Sequence, residues 1–188
     1  MRWHTALTMV AAIVSAGCAT TGYDDPQQLA AHYQGVIVNP VRTDQDRRMD
    51  ATRRPEAFLP FTRVKPGMRV LDVSAGGGYT AQLLALAVGP EGRLWAQTAS
   101  PRPALNERLA ARPQANFVPV VRPFEDPVPE EATGLDLVTL ILNYHDIAYL
   151  PVDRAKMNAK LFAALKPGGA MVIMQMGGVI CVSEMGNA

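Results

Sequence analysis

The sequence predicts an α/β domain, a three-layer α/β/α arrangement around a mostly parallel sheet. Three observations carry this. From residue 65 onward, short runs rich in Val, Leu and Ile alternate with helical patterns, the mark of βαβ units with right-handed crossovers. The run Met68-Arg69-Val70-Leu71 leads straight into Asp72-Val-Ser-Ala-Gly-Gly-Gly-Tyr-Thr80. This is a buried strand, a glycine turn and a helix start, which brings bare backbone to the carboxyl edge of a sheet where open α/β folds bind ligands. Further on, Leu165-Lys-Pro-Gly-Gly169 introduces another apolar run, the same proline-glycine chemistry that turns a helix into a strand at Lys65-Pro66-Gly67.

Composition agrees. The chain has 188 residues, of which 48% are hydrophobic and 19% charged, enough for one globular body with its own core. Net charge is +1, from 18 basic and 17 acidic residues. This excludes a nucleic-acid binder driven by bulk positive charge, so no nucleic-acid partner is expected. Cysteine occurs only at Cys18 and Cys181. No His/Cys/Asp/Glu cluster has metal-ligand spacing, so no metal site is expected.

The elements follow in order. Residues 1–17 read as a signal peptide. Met1-Arg2 is a weakly basic start, and residues 6–16 are apolar apart from Thr8 and Ser15. That run is too short to span a bilayer and fits a signal h-region. Ser15-Ala16-Gly17-Cys18 resembles a bacterial lipoprotein signal, with Ser15 where leucine is usual. It implies export, a lipid on Cys18 and attachment to the periplasmic side of the cell envelope, and it leaves Cys181 without an internal disulfide partner. Residues 18–62 read as a tether and N-terminal helices. Asp24 or Asp25 caps a helix with Pro26 at its first position, running to about residue 33. Thr43 with Asp46 has capping-box spacing. The helix that follows is so polar (Arg47, Arg48, Asp50, Arg53, Arg54) that its arginines are expected on a solvated face. A further helical turn or two covers 55–61.

Residues 63–188 form the main domain. Strands are expected at 68–73, 93–98, 116–121, 135–142 and 170–176, with helices at 78–88, from Ser100-Pro101 to about 112, and at 151–165. Residues 123–129 are a proline-punctuated loop. The helix at 78–88 stops at Gly89-Pro90, and Leu150, Met157, Leu161 and Leu165 line one side of the last helix.

Gly76-x-Gly78-x-x-Ala81 fits a loose dinucleotide fingerprint. The nicotinamide version needs an acid at the end of the second strand, and here that strand ends Gln97-Thr98-Ala99-Ser100. The carboxylate lies instead at Asp72, before the glycines. No Lys-Ser/Thr follows them, so a triphosphate loop is disfavoured as well.

Val70 to Thr80 resembles the first motif of the class I S-adenosylmethionine-dependent methyltransferases. Leu161-Phe-Ala-Ala-Leu-Lys-Pro-Gly-Gly-Ala170 resembles their helix-to-fifth-strand segment, and Leu135 to Leu142 sits where their fourth strand belongs. The resemblance spans roughly 64–176, and Asn143-Tyr-His-Asp146 points to a bacterial branch. It implies a Rossmann-like fold, S-adenosylmethionine as cofactor, and methyl transfer to a small-molecule acceptor. By the same resemblance, Asp72, Ser74, Gly76, Gly78, Thr98 and Asn143 are the expected cofactor-binding residues, with Asp72 near the methionine end. Ser74 stands where the family has a glycine. The ribose-binding acid is missing, leaving Gln97 or Thr98 to supply neutral hydrogen bonds. His145 is the candidate general base if the acceptor must lose a proton; otherwise it is a turn histidine. Tyr79, Tyr144 and Tyr149 are either pocket walls or core. Glu125 and Asp126 are read as solvated loop acids.

The family's sheet has seven strands in the order 3-2-1-4-5-7-6, with strand 7 antiparallel; this chain is C-terminally shortened against it. Residues 179–183 are expected to fold back across a Gly177-Gly178 turn and pair antiparallel with the fifth strand, in the slot of strand 7. The rival functions are a catalytically inactive exported binding protein on the same fold and, less favoured, a nicotinamide oxidoreductase.

Overall fold

A computed structural model describes residues 22–175 and 178–184. The expected signal segment, Cys18 and its lipid attachment lie outside the described residues. After a 3-10 turn at Gly22–Asp24 come three helices, α1 (Pro26–Ile37), α2 (Asp44–Arg53) and α3 (Pro55–Thr62). The alternating unit follows: β1 (Arg69–Val73), α4 (Tyr79–Val88), β2 (Arg93–Thr98), α5 (Pro103–Ala111), β3 (Phe117–Val121), β4 (Leu135–Ile141), the short α6 (Tyr144–Ala148), α7 (Arg154–Ala164), β5 (Leu165–Gln175) and β6 (Gly178–Glu184).

The sheet order is β3-β2-β1-β4-β5-β6. The first five strands run parallel and β6 is antiparallel to β5. The expected α/β architecture is therefore present, with β6 in the place foreseen for it and the sheet shorter than seven strands. Gly178 already pairs with Gln175, so the connection is residues 176–177, one residue earlier than the expected turn; those two residues lie outside the described ones. β5 also begins earlier than expected. Its ladder pairs Leu135 with Leu165, then shifts register before Leu137 pairs with Ala170. Lys166-Pro-Gly-Gly169 is accommodated in that irregularity, and Gly169 is required there because a Cβ would lie 2.7 Å from the Leu135 carbonyl oxygen.

Alternation along the strands divides the core in two. Val70, Leu94, Ala96, Phe117, Leu137 and Val172 face α1, α3, α4 and α5, while Leu71, Val73, Trp95, Val138 and Leu140 face α6 and α7. Each fully buried Leu contributes about 1.5–3 kcal/mol relative to exposure. β1 is covered on both sides, which suits a central parallel strand.

The N-terminal helices are fastened by specific bonds. Asp25 caps α1, its Oδ1 accepting from the Gln27 N–H at 2.9 Å, and the helix runs four residues beyond the expected end. The Tyr33 hydroxyl donates to the Val64 carbonyl at 2.9 Å, tying α1 to the segment that enters β1. α2 has the expected capping box: Asp46 N–H donates to Thr43 Oγ1 at 3.1 Å and Thr43 N–H to Asp46 Oδ2 at 2.8 Å. Arg54, left-handed at φ 48°, breaks the chain between α2 and α3.

Candidate functional site

The turn after β1 carries three left-handed residues, Ser74 (φ 60°), Gly76 (φ 56°) and Gly78 (φ 84°). Glycine meets this demand freely and serine at a cost of about 1–2 kcal/mol. Two side chains from neighbouring strand ends brace Ser74. Its N–H donates to Gln97 Oε1 at 3.0 Å, and its carbonyl accepts from Asn143 Nδ2 at 3.1 Å. The Ala75 N–H donates to the Gln97 carbonyl at 2.9 Å. The glycines do different work. At Gly76 an added Cβ would meet nothing within 4 Å, so bare backbone borders open space. At Gly78 a Cβ would lie 2.8 Å from Leu105 Cδ1 and 3.2 Å from Arg108 Cδ, so the turn is wedged against α5. Gly78→Ala combines the left-handed penalty with overpacking and should cost about 2–4 kcal/mol. Urea unfolding measures it; an unchanged midpoint would show that α5 yields freely.

This turn forms the floor of a cleft of about 550 Å³, within the usual size of small-molecule sites. Asp72, Ser74, Gly76, Ile141 and Asn143 line it from the sheet side, α2 forms a second wall and α5 a third. Asp72 is 2% exposed. Its Oδ1 accepts from Thr139 Oγ1 at 2.7 Å, and its Oδ2 has no partner among the described residues. Burial pushes its pKa up to about 7 against the opposing hydrogen bond from Thr139. A carboxylate with one orphaned oxygen facing a cleft is half of an unmade interaction, and a cation is the partner that restores its ordinary ionisation.

The expectation of a solvated arginine face on α2 holds for three of the four arginines and fails for Arg53, which lines the cleft. Arg47, Arg48 and Arg54 are exposed. Asp46, Met49, Asp50 and Arg53, spaced i, i+3, i+4 and i+7, share the other face. Asp46 accepts a bidentate pair from Arg108 of α5, at 2.7 and 2.9 Å. The Arg108 Nε also donates to the Gly77 carbonyl at 2.9 Å, so one guanidinium joins α2, α5 and the glycine turn. Asp50 accepts from the Tyr79 hydroxyl at 2.6 Å and from Arg42. Arg42, itself 1% exposed, also donates to the Ile37 carbonyl at 2.7 Å and lies over the Tyr79 ring. Arg112 donates to the Pro40 and Val41 carbonyls. Burial raises the Asp46 pKa, but Arg108 and the Thr43 N–H outweigh it and hold the carboxyl down at about 2.

Of the residues expected from sequence, Asp72, Ser74, Gly76 and Asn143 meet in the cleft, and Gly78 is buried beneath it. Thr98 is 3% exposed and does not line the cleft. Gln97, the other neutral candidate, spends its amide on the Ser74 N–H and on the Arg122 carbonyl at 2.6 Å; it braces the turn. His145 does not line the cleft either. The Gln175 amide nitrogen donates to its Nδ1 at 2.6 Å, with the amide oxygen accepting from the Tyr144 and His145 N–H groups. Its Nε2 stands 3.1 Å from Asp146 Oδ1. Both ring nitrogens have local partners. Tyr79 lines the cleft, Tyr144 packs against the second core and Tyr149 is 89% exposed. Asp126 pairs with Arg122 and Lys160, as expected of a solvated loop acid. The cleft residues missed in the sequence are Gln45, Met49 and Arg53 on α2, and Glu107 and Arg108 on α5. The stripe at 46, 49, 50 and 53, with Met49 as its one apolar member, was the available signal. Among the described residues no group of three or more His, Cys, Asp or Glu side chains is placed to hold a metal ion.

Residues 28–100 match the family model of protein-L-isoaspartate(D-aspartate) O-methyltransferase. Ubiquinone/menaquinone biosynthesis C-methyltransferase UbiE proteins of Bordetella parapertussis and Bordetella bronchiseptica are 27% identical over 112 residues, 60% of this chain and 42% of theirs. The chain thus spans less than half the length of these relatives. Among solved structures, a SAM-dependent methyltransferase from Aquifex aeolicus aligns with TM-score 0.55 and 24% identity, over 70% of this chain and 72% of that one. A protein-L-isoaspartate O-methyltransferase aligns with TM-score 0.52 and 22% identity, over 63% and 35%. These likenesses establish the fold.

Proposed function

We propose that this chain, by fold a member of the class I S-adenosylmethionine-dependent methyltransferase superfamily, binds S-adenosylmethionine in the cleft beside Asp72 and transfers its methyl group to a small-molecule acceptor. The observation that carries this is the orphaned Asp72 oxygen beside the open backbone at Gly76. Together they fit the ammonium and close-packed methionine end of that cofactor. When bound, the cofactor supplies an electrophilic methyl group on a cationic sulfonium. The chain's own part is alignment and exclusion of water. Asp72 would hold the ammonium and the turn around Gly76 would offer its backbone, while Asn143 holds that turn in register with the end of β4. The α2 wall, seated by Asp46 and Asp50, keeps the cleft narrow. His145 is a candidate proton acceptor only for acceptors that must be deprotonated, and its ring must first leave Gln175 or Asp146.

The related proteins are an O-methyltransferase family and C-methyltransferases, so oxygen and carbon nucleophiles are both candidate acceptors. A near-neutral net charge favours a small acceptor over a nucleic acid. A nicotinamide cofactor is disfavoured, because the end of β2 has no carboxylate for the ribose and the Gln97 amide is already engaged. Titration calorimetry of residues 19–188 with S-adenosylmethionine, S-adenosylhomocysteine and NAD tests the proposal. Heat is expected with both sulfur ligands and none with NAD; silence with both sulfur ligands defeats it.

Attachment to the envelope through a lipid on Cys18 is part of the same proposal, supported by the Ser15-Ala16-Gly17-Cys18 sequence. Among the described residues no helix is long and apolar enough to cross a membrane. Full-length protein expressed in bacteria fed radiolabelled palmitate should take up label, and Cys18→Ser should not. Unlabelled wild-type protein would remove the anchor.

A further inference from the structure

An acid and a base that are both drawn at least partly out of water lack partners on complementary sides of the cleft. One is the Asp72 carboxylate oxygen in the floor. The other is Arg53, at the C-terminal end of α2, half-buried in the wall. The other arginine of the cleft, Arg108, is committed to Asp46 and the Gly77 carbonyl. Arg53 makes no hydrogen bond, ion pair or ring contact among the described residues, although it shares the α2 face with Asp46 and Asp50, both of which are fully engaged. On the outer face Arg47 pairs with Asp44 and Arg54 with Glu56, and Arg48 lies exposed to water; Arg53 differs in lining the cleft. Glu107 is the remaining acid of the cleft lining; it is exposed and does not pair with Arg53.

A guanidinium held partly out of water without a counter-charge loses hydration and gains nothing, unless an anion enters. A planar fork of donors suits a carboxylate, and such charge-assisted bonds are about twice as strong as neutral ones. An acid in the floor and an unpaired guanidinium in the wall of one cleft are complementary to a zwitterionic α-amino acid. We propose that Arg53 binds the α-carboxylate of the cofactor's methionine moiety, opposite the ammonium at Asp72. This rests on the assignment of the cleft to S-adenosylmethionine and adds a residue that neither the sequence motif nor the strand ends point to.

The test separates the amino-acid end from the rest of the ligand. Binding of S-adenosylhomocysteine and of 5′-methylthioadenosine, which has the same nucleoside and thioether but no amino-acid group, is measured by calorimetry on wild type, Arg53→Gln and Arg53→Lys. Arg53→Gln is expected to weaken S-adenosylhomocysteine about ten- to hundredfold and to leave 5′-methylthioadenosine within about twofold, with Arg53→Lys intermediate. Retained affinity of Arg53→Gln for S-adenosylhomocysteine overturns the assignment, and is the result expected if Arg53 instead meets an anionic acceptor. An equal loss for both ligands overturns it too, because the substitution has then disturbed the cleft as a whole. Wild-type protein that binds neither ligand refutes the cofactor reading itself, and Arg53 falls with it.

Discussion

Asp72→Asn should make the free protein more stable at pH 8 and a poorer binder of S-adenosylhomocysteine in the same buffer. The two effects have one cause. Burial raises the Asp72 carboxyl to about 7 in the free protein, against about 3.9 in an unfolded chain. Between these values the folded state holds a proton that the unfolded state has released. A raised acid therefore subtracts stability as pH climbs from about 4, and the full cost is present above about 7. Three units correspond to about 4 kcal/mol at most, less to the extent that cleft water reaches the free oxygen. Asparagine removes the charge and can still accept from Thr139. Thermal melts of wild type and variant should therefore diverge from pH 4 to pH 7, with the variant melting higher on the alkaline side. Ligand binding runs the other way. An ammonium bound at Asp72 needs the ionised carboxylate, so under that assignment wild-type affinity should rise by up to tenfold per pH unit below 7 and level off above it. In Asp72→Asn that slope should vanish, with a loss of about ten- to hundredfold at pH 8. A variant that binds as tightly as wild type at pH 8 would place the cofactor's ammonium elsewhere.

How legible the site was from sequence depended on whether a residue's partners were close in the chain pattern. The strands were readable because each is a short apolar run between proline-glycine breaks, and even β6 was readable from its alternation and spacing. Asp72, Ser74, Gly76 and Asn143 were expected through the family resemblance, and they meet in one cleft because they lie at or just after strand ends, whose position in a parallel sheet is fixed by topology. Thr98 sits at a strand end as well, yet it is buried, since which way a terminal residue points depends on the last turn of the ladder. The sequence shows Gln97 as a free amide. Only the register of β2 beside β1 reveals that it closes the turn through Ser74. The cleft-facing side of α2 was not legible, for a different reason. Its inward face is built from carboxylates, and hydrophobic periodicity cannot register a face that packs by ion pairs. Their partners Arg42 and Arg108 belong to different elements, and Arg108 is 62 residues away from Asp46. Short-range charge patterning has no access to such a pair.

That long-range pair carries the second large effect. Asp46 is 1% exposed, and its salt bridge is to Arg108. Removing the arginine leaves a desolvated carboxylate with only its Thr43 cap, so Arg108→Met should cost about 3–5 kcal/mol. Asp46→Asn should cost about 2–3 kcal/mol, because Arg108, more exposed, can turn partly to water while asparagine keeps an acceptor for the cap. The double variant should be more stable than the sum of the two losses implies, by about 2 kcal/mol, since the second substitution removes a charge that the first had stranded. The pH dependence distinguishes this from simple loss of packing. Asp46 titrates at about 2 in the folded protein and near 3.9 unfolded. A depressed acid adds stability above about 4 that disappears as pH falls toward 2, here about 2.5 kcal/mol. Arg108→Met should lose most of that acid-side slope, and Asp46→Asn all of it. Because Arg108 also holds the Gly77 carbonyl and seats α2 as a wall of the cleft, Arg108→Met should weaken S-adenosylhomocysteine as well, although Arg108 has no free donor pair to offer the ligand. Additive stability losses in the double variant, or an unaltered acid slope in Arg108→Met, would show that α2 is held over the turn by something other than this ion pair.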